Sequence, residues 1–421
     1  MNRKIIRNFM SGKHAKGALL SIADQSIVSL SNFLTGVIIA RTMPPDQFGS
    51  YTLLWSGLLI LFGFQNAFIT GPLRVLGVKH FLDNGKDFFK SQLILQLLLG
   101  SILAILSAFI LSVFYSFPIQ LVVIYCLCIF FVQLHELVRV IKFNILSIKS
   151  LFTMDLVAHA LRLMLLVLAA SLYTLSIKVS LLCILISSVV GSLLFVDSGV
   201  FGKAKALSII NSLKKNWEFG RWLGLESIAY TASAPIYLFL TALWIDTVSV
   251  AALYAVVNIM NLLNVLLTGI TGYLTPIARK TYLDNNYLEW KKQLTISGIV
   301  LVVMSVAIWL VLSLYSEHVL SMIYSPAYGE YSYLVWILGL AYPFRSVNTV
   351  CSVAFKTAEM PEVGFYAQLA SAIISIILVY PLITVFGLAG AALGLVATQI
   401  TWAIVYAKEI SSGKLTRIVK R

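Results

Sequence analysis

The chain has 421 residues, of which 59% are hydrophobic and only 11% charged. A soluble protein of this length would divide into several domains, each with a charged surface, and ordinary soluble chains carry about 25% charged residues. The composition excludes a soluble enzyme, a nucleic-acid factor and a disordered scaffold, and it specifies an all-α polytopic membrane protein. The net charge of +14, from 31 Lys+Arg against 17 Asp+Glu, follows the Lys/Arg bias of cytoplasmic loops and calls for no nucleic-acid partner.

A bilayer core about 30 Å thick takes about 20 helical residues to cross. Apolar runs between charged or Pro/Gly-marked breaks predict twelve spans. They lie approximately at 17–40, 50–71, 91–115, 118–140, 151–173, 177–197, 217–244, 248–275, 294–315, 331–355, 363–385 and 389–407. Pro118 alone separates the third from the fourth, and a turn at Phe386-Gly387 separates the last two. Residues 1–16 are basic, but the run that follows is too long for a signal sequence and is read as the first span.

Lys and Arg gather in alternate loops. With the N-terminus inside, they run from Arg3 to Lys16, Arg74 to Lys90, Arg139 to Lys149, Lys203 to Lys215 and Arg279 to Lys292. Lys356 and the tail from Lys408 to Arg421 complete the inner set. Arg41 and Lys178 fall outside, and Arg162, Arg221 and Arg345 fall within spans. This asymmetry places both termini in the cytoplasm.

The loops are too short for a folded domain. No GxxxxGK[ST], HExxH, GxSxG or zinc-ligand pattern is present, so the chain is not read as an enzyme, and no cofactor or metal is predicted. Cys126 and Cys128 are two residues apart and point to nearly opposite sides of a helix, so they do not share a metal. With Cys183 and Cys351 they are read as buried packing residues. Asp83 and Asp87, among lysines, are read as solvated surface.

Six spans precede the basic linker 198–216 and six follow it, which predicts lobes at 1–197 and 217–421 related by a pseudo-two-fold. Asp24 leads to Tyr51 at nearly the spacing that separates Glu226 from Tyr254. In both halves an acid near the inner third is thus followed by a short outer loop and a Tyr.

Charges in a bilayer face a partner or a watery cavity. Arg345 and Arg162 lie too deep to reach the interface easily, whereas Arg221 could snorkel or pair with Glu218. Asp155, His159 and Arg162 form one stripe of a helix, near Gln133, His135, Glu136 and Arg139 at the end of the fourth span. Two readings stand: a structural salt-bridge cluster, or a cationic cavity wall whose acids hold the arginines. Asp24, Asp155 and Glu226 are the candidate coupling or cavity acids; Arg162, Arg221 and Arg345 are the candidate substrate-binding cations. Gly220/Gly224 and Gly390/Gly394 fit close helix packing, and Trp55, Trp217, Trp244 and Trp290 sit at expected interfaces.

The run Asp24-Gln25, Asn32-Phe33, Ala40-Arg41, Pro45, Phe48-Gly49, Tyr51 resembles the opening of polysaccharide exporters, including Wzx-type flippases, of the multidrug/oligosaccharidyl-lipid/polysaccharide exporter superfamily. Tyr324 to Tyr333 and the stretch to Ala358-Glu359-Met360 resemble that family's second half. The resemblance implies a flippase in the cytoplasmic (inner) membrane that carries a polyprenyl-pyrophosphate-linked oligosaccharide by alternating access. Polysaccharide assembly proteins are the implied partners. Deep arginines suit a pyrophosphate independently of the family. The rivals are a cation-coupled drug antiporter, which would favour cavity acids, and a membrane-embedded polysaccharide polymerase.

Overall fold

The structure, a computed structural model, describes residues 12–74, 86–114, 117–145, 147–172, 175–195, 206–360 and 362–412. The basic residues Arg3 to Arg7, Lys79, Lys203, Lys205 and the tail from Lys414, and the acidic Asp83, lie outside the described residues.

Proline and glycine punctuate the helices. α1 (Gly12–Thr42) stops before Pro44, which has no N–H to continue it, and Pro45 opens α2 (Pro45–Gln65) with Asp46 in its first turn. A π turn, Asn66–Thr70, carries that helix onward. Pro118 separates α3 (Lys86–Phe114) from α4 (Ile119–Asn144), as the sequence predicts. α5 (Ile148–Leu172) and α6 (Ile177–Phe195) complete the first six spans.

The seventh span is bent by 41° between α7 (Ala206–Ser233) and α8 (Pro235–Trp244), where Pro235 begins the second piece. The eighth comprises α9 (Thr247–Met260) and α10 (Leu262–Leu283), and the ninth is α11 (Tyr287–Leu314). A short α12 (Ser316–Ile323) and a 3-10 turn, Pro326–Tyr331, lead to α13 (Tyr333–Gly339) and α14 (Ala341–Thr357), which form the tenth. α15 (Glu362–Ser411) holds the last two, divided at Gly387. Its φ of +56° and ψ of −132° are open to glycine and closed to other residues.

Among the described residues, nine helices are long and apolar enough to cross a membrane, and the bent pair α7–α8 makes a tenth. One of the nine is α15, which contains two expected spans, and α9 with α10 forms the remaining one. All twelve predicted spans therefore have a helical counterpart.

Contacts divide the chain into two compact units, residues 1–43 with 54–227 and residues 44–53 with 228–421. In the first unit, Gln96 donates to Gln133 (3.0 Å), Cys128 Sγ donates to the Leu181 carbonyl (3.1 Å), and His159 meets Ser31 (3.1 Å). These link the third span to the fourth, the fourth to the sixth and the first to the fifth. The second unit uses the same pairings. Ser346 meets Ser305 (3.2 Å), Asn348 donates to the Gln399 carbonyl (2.9 Å), and Gln368 donates to Ser233 (2.6 Å). The internal repeat thus reaches down to individual polar ties.

The opening turns of α2, with Pro44 before them, belong to the second unit. Phe48, fully buried, stacks near Tyr51 (6.4 Å between centroids) and meets Tyr254 (5.9 Å) and Tyr328 (6.3 Å) edge-on. A Cβ at Gly49 would overlap the Thr247 carbonyl oxygen, so these backbones meet only because no side chain intervenes. Gly49→Ala is expected to destabilise the protein by about 1–3 kcal/mol. Ser50→Ala, which loses only a bond to the Asp46 carbonyl of its own helix, should stay within about 0.5 kcal/mol. Unfolding of the purified variants in detergent measures both.

Candidate functional site

A polar cavity of about 650 Å³ lies in the second unit, within the range of ligand sites. It is lined by the end of α7, by α10, by α14 and by both halves of α15. On α14 the lining residues Arg345, Asn348, Thr349, Ser352 and Lys356 follow helical periodicity and form one stripe. Facing them are Ser233, Thr271, Thr275, Gln368, Gln399 and Trp402. Among the described residues the wall therefore holds two cations, amides and hydroxyls, and no carboxylate.

Neighbours hold this wall in place. The Arg345 guanidinium sits 5.8 Å from the Tyr342 ring centre, a cation–π contact that holds the charge at the wall. Asn348 spends its amide N–H on Gln399, 2.9 Å from the carbonyl and 3.3 Å from the side-chain oxygen. Its own Oδ1 is buried without a partner among the described residues. A buried acceptor left unpaired costs free energy, and a ligand hydroxyl or amide would satisfy it.

The first unit contains an ion cluster built around Arg139. Its Nε donates to Asp155 (2.6 Å), Nη1 to Glu136 (2.8 Å) and Nη2 to Asp24 (3.1 Å). The other Asp155 oxygen meets His135 (3.0 Å), and Arg74 reaches Glu136 (2.8 Å). Asp155 and Asp24 are buried, 0% and 4% exposed, so the guanidinium supplies charge balance that water does not. Two turns along α5 from Asp155, on the same stripe, Arg162 donates to Asn32 (2.9 Å).

The predicted site residues therefore fall into three groups. Asp24 and Asp155 meet on Arg139 in the first unit, where Arg162 binds Asn32 further along α5. Arg345 lines the cavity of the second unit. Arg221 and Glu226 are exposed on α7, and the spacing shared by Asp24 and Glu226 does not extend to their surroundings. Trp290, expected at an interface, is buried, and its indole donates to Thr357 (3.1 Å).

Reading charges alone passed over Asn348, Gln368 and Gln399. The polar stripe of α14 inside an apolar span was the signal for the first of these. The sequence puts Arg139 beside the Asp155 stripe in one reading, a salt-bridge cluster, but does not mark it as the centre that also binds Asp24.

The MatE family model matches residues 223–381, from α7 into α15. No curated protein matches the chain in sequence. Among solved structures, an inward-facing multidrug resistance MATE family transporter of the MOP superfamily superposes with a TM-score of 0.77 at 16% identity. The match covers 92% of this chain and 95% of that one. The lipid II flippase MurJ, in an inward closed conformation, gives 0.74 at 15% identity, covering 96% and 90%. A MOP superfamily transporter from Pyrococcus furiosus, described as having a binding pocket of reversed polarity, gives 0.66 at 15%, covering 96% and 95%. The chain has the two-lobed, twelve-helix fold shared by these transporters.

Proposed function

We propose that the protein is a transporter that flips an anionic lipid-linked oligosaccharide across the cytoplasmic membrane, for assembly of a surface polysaccharide such as O-antigen, capsule or exopolysaccharide. The observation that carries this reading is the cavity of the second unit, with Arg345 and Lys356 in its wall and no acid among the described residues. A diphosphate attracts such a wall, and an organic cation is repelled by it. The hydroxyls, amides and Trp402 supply what a sugar needs: hydrogen bonds at its rim and an apolar plane for its ring. In this reading the polyprenyl chain remains in the bilayer, and no cofactor takes part.

A drug antiporter is the second reading, favoured by the fold shared with multidrug transporters. The acids of the first unit are its natural coupling groups, but Asp24 and Asp155 are both engaged by Arg139. Deletion of the gene in its source strain separates the two. The flippase predicts loss of surface polymer, with completed oligosaccharide-lipid stranded on the inner leaflet. Unchanged polymer with altered sensitivity to cationic drugs would overturn it, as would exported but unjoined sugar units, the sign of a polymerase.

A further inference from the structure

α14 has a second face. Val347, Val350, Cys351 and Ala354 recur at helical spacing and are centred about 180° around the helix from the Arg345 stripe. They form one wall of a groove of about 770 Å³, whose other wall is α11. The two helices are tied by Trp290 to Thr357 at one end and by Ser305 to Ser346 at the other. From residue 287 to 303 the groove runs along about 24 Å of α11. Gly298 hollows its middle, where a Cβ would have only the Val350 methyls near it, at 3.8 and 3.9 Å. Ile299 and Val303 are left 59% and 61% exposed.

The mouth of the groove is chemically distinct. Lys291 is the one charged residue that lines it. Glu289, two residues earlier, projects from a different face of α11, and among the described residues Lys291 has no ion pair. Tyr282 packs against Tyr287 and Trp290 at the same end, with ring centroids 5.5 Å apart in both pairs. Aromatic clusters of this kind mark headgroup depth.

We propose that this groove binds an anionic phospholipid of the surrounding bilayer, with one acyl chain between α11 and α14 and the phosphate on Lys291. The transported lipid is not the occupant. α14 stands between groove and cavity, so one amphiphile cannot place its head on Arg345 and its tail here without passing through the helix. Bound lipid braces the back of the helix whose front carries Arg345 and Asn348.

The test uses delipidated full-length protein titrated with phosphatidylglycerol or phosphatidylcholine, followed by native mass spectrometry and thermal unfolding. Wild-type protein should retain a phosphatidylglycerol molecule and gain thermal stability, with phosphatidylcholine much weaker. Gly298→Trp fills the groove and should lose that molecule. Lys291→Gln, an exposed change that spares the fold, should weaken phosphatidylglycerol about fivefold, the effect of removing one cation near a phosphate. Equal retention of the two lipids would overturn the proposal. So would an unchanged phosphatidylglycerol response in Lys291→Gln, or displacement of phosphatidylglycerol from wild-type protein by equimolar polyprenyl phosphate.

Discussion

Replacing Arg139 with Leu is expected to destabilise the first unit by about 3–5 kcal/mol, because it strands carboxylates that are buried and paired. Asp24 keeps no other ion pair among the described residues, and Asp155 keeps only His135. Arg139→Lys should recover only part of the loss, since one ammonium cannot reproduce three directed contacts from a planar fork. Asp155→Asn in the Arg139→Leu background removes one of the stranded charges and should restore stability relative to Arg139→Leu alone. Unfolding of the purified variants in detergent or SDS mixtures measures the set. Strict additivity of the two losses would show that the pair does not interact.

Arg345 carries the second large effect, on transport and not on folding. Arg345→Ala should lower transport by roughly tenfold to a hundredfold, the equivalent of one charge-assisted hydrogen bond of about 1.5–3 kcal/mol. Arg345→Lys should fall between, because it keeps the charge and loses the bidentate geometry. Asn348→Ala removes the unpartnered Oδ1 together with the tie to Gln399 and should also weaken transport. Protein level and unfolding temperature must stay near wild type for these results to report on the cavity. Normal transport by both Arg345 variants would remove that residue from substrate recognition.

The twelve spans were legible because bilayer physics acts on local composition, and apolar length, Pro118 and Gly387 are all properties of short stretches. The Asp155, His159 and Arg162 stripe was legible for the same reason, since periodicity along one helix places all three on its buried face. Partner choice was not. Asp24 and Glu226 occupy matching positions in sequence, yet Asp24 meets Arg139 across helices while Glu226 is exposed. Which acid gains an arginine depends on packing between distant segments. The same holds for the turn at Phe48-Gly49, whose contacts with Thr247, Tyr254 and Tyr328 place it in the second unit. The cavity was half legible: Arg345 drew attention as a charge, whereas neutral Asn348, Gln368 and Gln399 become a site only when three helices bring them together.

The most direct measurement is transbilayer movement in proteoliposomes containing the purified protein, comparing a polyprenyl-pyrophosphate-linked oligosaccharide with a fluorescent organic cation. The cationic cavity predicts that the lipid-linked sugar reaches the opposite leaflet in a protein-dependent way, that Arg345→Ala slows it, and that the cation does not move. Transport of the cation down an imposed ion gradient, with the lipid-linked sugar left where it was added, would contradict the account.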